Sequence, residues 1–256
     1  MPSSYSLQFL ALSLSWLQRC LLIGPMDLPQ YTIFLLPKKL SRLLARRFAS
    51  LNVEAIRAIQ DRILLYAPQF LRTTESWEED LAQSDYSCHV LVIPNMETGT
   101  MSLEDGQWVG MCVLHGPLEA EAYNFFNLDK IQPDPVGLET RWLGGRLYLK
   151  EQHRNFEAMR LLNKAFINNI ELETRDKYRQ SPGKNLLARL QVSAYHGTIA
   201  HQYHLTSGAR VISELTRKQD LEYDGYLREV PGEFLEDEDS TKPISTVFEY
   251  VLTITA

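Results

Sequence analysis

Apolar positions along this chain of 256 residues change period several times, and each change marks an element. Residues 31–36 (YTIFLL) are β-branched and aromatic, are followed by Pro37, and read as a strand. Residues 38–66 carry helical spacing in two stripes. Leu40, Leu43, Leu44 and Phe48 make the first, and Ile56, Ile59, Ile63 and Leu64 the second, with Asn52 as a cap between two helices and Pro68 just past the end. The polar run 72–85 reads as a loop. Residues 88–93 and 108–114 read as an antiparallel pair of strands joined by the turn-rich segment 95–107. Gly116, Pro117, Pro133 and Pro135 punctuate a long connection with a short helix near 120–126. Residues 141–149 (RWLGGRLYL) are a strand whose Gly144–Gly145 pair marks a bulge or a close backbone approach. Residues 153–175 follow with Phe156, Met159, Leu162, Phe166 and Ile170 on one helical face. The last elements are a strand at 185–194, a short helix at 198–207 closed by Gly208, and strands at 209–216 and 244–253. The acidic, turn-rich run 222–242 reads as a solvated loop. This order predicts one α/β domain with a mixed central sheet flanked by helices.

Composition narrows the picture further. A net charge of −6 and a pI near 5.6, without a long run of Lys and Arg, exclude a dedicated nucleic-acid binder. Three cysteines, Cys20, Cys88 and Cys112, with no C-x-x-C spacing, fit a reducing compartment and point to the cytoplasm. Residues 6–23 are strongly apolar, but no basic residue precedes them, and Gln18 and Arg19 interrupt the run. The segment 1–25 therefore reads as an apolar N-terminal extension that leaves membrane association open, with the folded domain at 26–256. Hydrolase and nucleotide-loop signatures (G-x-S-x-G, G-x-x-x-x-G-K-[ST], G-x-G-x-x-G) are absent from the sequence. His196, His201 and His204 form H-x4-H-x2-H, and His201 and His204 share a helix face. No Cys, Asp or Glu lies close enough in sequence to complete a metal site, so no metal is expected.

Three stretches carry a family likeness. Residues 108–114, preceded by Gly106, look like a third strand and its turn. Residues 147–154 (LYLKEQHR) look like L-Y-V-x-P-E-H-R, a fourth strand entering a cofactor loop. Residues 200–208 look like A-x-x-L-Y-x-x-x-G. On these residues the core at about 108–211 resembles the GNAT-type N-acyltransferases. The resemblance implies a GNAT-like mixed central sheet in a single domain, with acetyl-CoA or another acyl-CoA as co-substrate. It implies that backbone groups around Leu147 and Leu149 pair with the pantetheine arm, and that the pyrophosphate rests on the loop and helix start Arg154, Asn155, Phe156, Glu157, Ala158 and Met159. A helix N-terminus suits that anion, because its first N–H groups lack partners and its dipole is positive. Here the family's small residues are replaced by Glu157 and Met159. A carboxylate at the loop repels a diphosphate, while being stabilised itself by about 0.3–1 kcal/mol as a helix-start acid.

The resemblance also assigns roles. His204 falls in the slot of the family's proton-donating tyrosine, with Tyr203 one place earlier, and either can protonate a departing thiolate. Glu139, or a water it orders, matches the position of a base for the amine, and His115 follows the third strand. The implied acceptor is a small-molecule amine or a biosynthetic intermediate. By analogy with divergent fungal forms, the setting is secondary metabolism. Two other readings keep the fold without acyl transfer. One is a cyclase, isomerase or decarboxylase using His204, His115 and Glu139, and the other is a non-catalytic GNAT-like protein.

Overall fold

The computed structural model describes residues 30–63, 73–123, 138–181, 183–216, 218–220 and 242–255. Its elements, in chain order, are β1 (Thr32–Leu35), α1 (Arg42–Ile63), α2 (Thr74–Ala82), β2 (Tyr86–Ile93), β3 (Gln107–His115), α3 (Ala120–Tyr123), β4 (Glu139–Leu149), α4 (Phe156–Lys177), β5 (Asn185–Tyr195), α5 (Ile199–Thr206), β6 (Arg210–Thr216) and β7 (Pro243–Thr255). One seven-stranded sheet runs in the order β1-β2-β3-β4-β5-β7-β6. Every neighbouring pair is antiparallel except β4 and β5, which run parallel and are joined through α4. The chain thus forms the α/β mixed sheet flanked by helices that its sequence pattern predicts.

Two apolar layers sandwich the sheet. On one face α4 lays Ala158, Met159, Leu162, Phe166 and Ile170 against Trp142, Leu190, Val192 and Phe248. On the other, Leu44, Phe48 and Leu51 of α1 and Leu81 of α2 cover Val90, Trp108 and Met111. Strand β5 shows why the sheet takes this form. Its even-numbered residues, 186–194, are all buried in the α4 layer, while Leu187, Arg189 and Ser193 are only partly buried on the opposite face. Phe156, expected on the buried stripe of α4, is 43% exposed at the helix start.

Two expectations from the sequence are corrected. Residues 42–63 form one continuous helix, and Asn52 is not a cap. It is buried in mid-helix, with its Nδ2 donating to the Phe48 carbonyl at 2.9 Å. That internal bond satisfies the amide and removes the reason to break the helix. Residues 74–82, expected as loop, form a helix whose N-cap is Thr73, with its Oγ1 accepting from Ser76 N at 3.2 Å, and which buries Leu81 completely. The second apolar stripe of 38–66 lies partly outside the described residues, as do Pro68, Pro133, Pro135 and most of the acidic run 222–242. Among the described residues no helix is long and apolar enough to cross a membrane.

Candidate functional site

The site begins where β4 and β5 part. Their parallel ladder runs from Glu139↔Leu187 to Gly144↔Val192 and then stops, although β4 continues to Leu149 and β5 to Tyr195. A wedge opens between the two C-terminal halves. Its hinge is a bulge in β4, where the register with β3 slips between Val113↔Gly145 and Met111↔Tyr148 and Arg146 sits at φ 47°. The two glycines do different jobs. A Cβ on Gly144 would lie 2.7 Å from Val192 Cγ1 and 2.9 Å from Phe166 Cε2, so this glycine lets α4 settle onto the sheet. Gly145 has nothing within 4 Å of such a Cβ and borders the bulge.

The extra residue also reverses which peptide groups face the wedge. Before it, the Leu138 carbonyl accepts from Leu187 N on the β5 side, and the Arg141 carbonyl accepts from Leu118 N on the other. After it, Lys150 N donates to the Val109 carbonyl of β3. Leu149, and by strand alternation Leu147, therefore turn their peptide groups into the wedge. These are the two positions expected to meet a pantetheine arm.

The loop from Lys150 to Asn155 closes the outer end of the wedge, and neighbouring elements hold it. Lys150 pairs with Glu54 of α1 at 3.0 Å. The Tyr31 hydroxyl lies 3.2 Å from His153 Nδ1 and accepts from Asn155 Nδ2 at 3.2 Å. Asn155 is the N-cap of α4, and its Oδ1 accepts from Ala158 N at 2.9 Å. Capping leaves the N–H groups of Phe156 and Glu157 without a protein acceptor among the described residues. The Arg154 side chain crosses back to the wedge, its Nε donating to the Leu149 carbonyl at 3.1 Å. A guanidinium and two unpartnered N–H groups thus meet at the start of a 22-residue helix.

Glu157 does not fill this mouth. It is turned outward and gripped by Arg160 through contacts of 2.8 and 2.6 Å, and that pairing holds its carboxyl below the usual range. The expected repulsion of a diphosphate is offset by the partner cation. Ala158 and Met159 are fully buried side chains in the α4 layer, so Met159 fills core and not loop.

Helix α5 separates the two candidate acids. His204 is 1% exposed, packs against Phe248, and meets the Tyr250 hydroxyl at 2.6 Å through Nδ1. Burial, with His201 nearby, lowers its pKa to about 4, so at neutral pH it carries no acidic proton to spare. Tyr203 instead points toward α4. Its ring lies 6.2 Å from that of Phe156, and Asn163 Nδ2 approaches its hydroxyl at 3.5 Å. Asn163 is buried, and its Oδ1 has no hydrogen-bond partner. An apolar-stripe reading of α4 passes over Asn163. The one signal in the sequence is a polar residue at a buried spacing, between Met159 and Phe166.

Glu139 sits at the opposite end of β4, ten residues before Leu149. Its carboxylate accepts from Arg141 Nε at 2.7 Å and Arg189 Nε at 3.1 Å, and its side chain is 3% exposed. Arg189 and Arg210 continue the network to Glu249, which also accepts from the Tyr123 hydroxyl. Two guanidiniums hold Glu139 as an ion-pair anchor, so it is not brought to the wedge as a free base. His115 pairs with Asp85 at 2.9 Å on a half-exposed rim at the far end of β3. His196 and His201 both reach the Thr246 hydroxyl, at 2.9 and 3.2 Å, while His204 turns to Tyr250. No group of three or more metal-binding side chains occurs among the described residues.

Comparison with known proteins returns solved structures of acyltransferases at low identity. The chain is similar to Arabidopsis thaliana NAA60 in complex with acetyl-CoA, at 16% identity over 86% of this chain and 99% of that one, with a TM-score of 0.46. It is similar to FeeM, an N-acyl amino acid synthase from uncultured soil microbes, at 13% identity over 87% and 91%, with a TM-score of 0.45. An aminoglycoside 6'-acetyltransferase type Ii matches at 10% identity over 88% and 98%, with a TM-score of 0.43. No family model and no curated protein sequence matches the chain.

Proposed function

We propose that this chain is an acyl-CoA-dependent N-acyltransferase, with acetyl-CoA as the simplest donor and a small-molecule amine as acceptor. The observation that carries the reading is the wedge itself. Outward-turned peptide groups at Leu147 and Leu149 line it, and Arg154 with the N–H groups of Phe156 and Glu157 stand at one end. Tyr203 and the unsatisfied Asn163 stand along the first turns of α4. A diphosphate suits the first end, because a helix start and a guanidinium both favour anions. An amide-bearing arm suits the strand edge, and a buried carbonyl without a donor suits an amide N–H.

The chemistry follows from these placements. The neutral amine attacks the thioester carbonyl, the C–N bond forms and the C–S bond breaks. Tyr203 donates its proton to the departing thiolate and is reprotonated from solvent. The proton lost by the amine passes to water, since Glu139 is held by Arg141 and Arg189. The rival set of His204, His115 and Glu139 is not assembled here, because the three side chains engage Tyr250, Asp85 and two arginines respectively.

Thermal unfolding in the presence of acetyl-CoA, desulfo-CoA and buffer tests the reading. A donor held at about 100 times its Kd stabilises the native state by about 2.7 kcal/mol. Arg154→Ala should reduce that shift while leaving the unliganded melting temperature unchanged. Absence of any shift with either CoA species would remove the proposal.

A further inference from the structure

Neither the proton donor nor the diphosphate end accounts for the arginine at the hinge of the wedge. Arg146 stands in the β4 bulge at φ 47°, the one non-glycine residue with a positive φ among those described. Bulges that need a positive φ take glycine, because a side chain makes that conformation costly. Gly144 and Gly145 come just before, so glycine is present beside the position and withheld at the position itself. Strain kept at a site in this way points to a task for the side chain.

That side chain runs to the face opposite α4. Its Nη1 donates to the Tyr86 hydroxyl at 2.7 Å, and its Nη2 approaches Asp80 Oδ2 of α2 at 3.4 Å. Tyr86 belongs to the apolar layer that α1 and α2 build on that face. A tight guanidinium–carboxylate pair spans about 2.7–2.9 Å, so Asp80 orients the group without gripping it. Both side chains reach solvent, at 24% and 23% exposure.

The α4 face at the same level is already taken. A Cβ on Gly144 would meet Phe166, and Asn163 lies one helix turn before Phe166, toward the Leu149 end. Asn163 and the Tyr203 hydroxyl beside it therefore stand level with the bulge. An acyl arm that runs from Arg154 past Leu149 and Leu147 brings its thioester to that level. Helices α4 and α5 and the leaving thiol occupy this face, so the amine reaches the thioester carbon from the other, where Arg146 is.

We propose, on the acyl-transfer reading above, that the acylated amine belongs to an amino acid whose carboxylate binds Arg146. A planar carboxylate matches the guanidinium fork and takes two parallel N–H donors. A phosphate dianion would meet Asp80 with a higher charge, and a plain alkylamine would make no use of the arginine. The Tyr86 contact draws the guanidinium from β4 toward β2. The spacing between carboxylate and amine is therefore part of what the site selects.

The test pairs each amino acid with the amine that lacks only its carboxylate: glycine with methylamine, β-alanine with ethylamine, 4-aminobutyrate with propylamine, and L-leucine with 3-methylbutylamine. Acetyl transfer by the full chain gives kcat/KM for every member. At one spacing at least, the amino acid should be used about tenfold better than its matched amine. Arg146→Gly suits the positive φ and should cut use of that amino acid by about 10–100-fold, through KM, while the matched amine stays within about twofold. Arg146→Asn also tolerates a positive φ and repeats the test should the glycine variant fold poorly. An equal loss with amino acid and amine would show that Arg146 only ties α2 to the sheet, and would overturn the proposal. Amines used as well as their amino acids at every spacing would overturn it too. If amines are acylated without that preference, the amino-acid assignment alone fails. If neither CoA species binds, acyl transfer fails first and the assignment with it.

Discussion

The assignment of the proton donor rests on one helix turn, and two substitutions separate the candidates. Tyr203→Phe removes a hydroxyl whose only hydrogen-bond contact among the described residues is the 3.5 Å approach of Asn163 Nδ2. So little is lost that stability should change by no more than about 0.5 kcal/mol. If Tyr203 protonates the thiolate, the transfer rate should fall by about 100-fold or more, with acyl-CoA affinity retained. His204→Phe keeps a ring over Phe248 but breaks the 2.6 Å contact to the Tyr250 hydroxyl, which retains Ser207 Oγ at 2.5 Å. Losing one of two partners of a buried hydroxyl costs about 1–2 kcal/mol. At about 2–4 °C per kcal/mol for a domain of this size, the melting temperature should drop by about 2–8 °C. Its transfer rate, measured below that temperature, should stay within about threefold of the parent, a change worth less than about 1 kcal/mol in the barrier. The assay is thiol release from acetyl-CoA across a panel of primary amines, with melting curves on the same samples. The reasoning fails if the pattern inverts, with His204→Phe inactive at an unchanged melting temperature and Tyr203→Phe active.

Three further outcomes follow from the same geometry. Glu139→Gln takes the carboxylate from Arg141, at 11% side-chain exposure, and leaves Arg189 with Glu249 alone. Chemical denaturation should show a loss of about 3–5 kcal/mol, whereas a stable but inactive variant would mark Glu139 as a base after all. Asn155→Ala removes the cap on Ala158 N and the donor to Tyr31, so stability should fall by about 1 kcal/mol and acyl-CoA should bind more weakly. His89 and His204 both titrate near pH 4 in the native chain and near 6.5 when unfolded. Above pH 6.5 neither affects stability. Between 6.5 and 4 the unfolded state takes up protons that the native state refuses, and each histidine removes up to about 1.4 kcal/mol per pH unit. His89→Phe should therefore flatten the fall in denaturant midpoint from pH 7 to 5, and an unchanged slope would contradict the burial assigned to His89.

The strands and α4 are legible in the sequence because burial on one face imposes a period that polar residues cannot imitate. Even-numbered residues of 186–194 had to be apolar to lie under α4, and they are. Residues 74–82 escaped notice for the opposite reason. Most of that segment is polar, only Leu81 is fully buried, and the deciding feature is Thr73, whose single capping hydroxyl looks like any loop threonine. Asn52 misled because asparagine usually marks helix ends, and in mid-helix its amide can return to a backbone carbonyl four residues back, as it does to Phe48.

The site was half legible for a related reason. Backbone features follow from local sequence: Gly144–Gly145 signalled the close approach and the bulge, while the helix expected from 153 starts at Phe156, after Asn155 as its N-cap. Which side chain faces the wedge is settled by partners far away in the chain. On an eight-residue helix, Tyr203 and His204 differ by about 100° of rotation, and the rotation is fixed by Tyr250 and Phe248, 46 and 44 residues on. Likewise Glu157 looks hostile to an anion until Arg160, one turn later, is seen to hold it. A charge that reads as a defect in a motif therefore counts against a ligand only when no partner within a helix turn neutralises it, and removing Arg160 is the change that would turn Glu157 into the obstacle its position suggests.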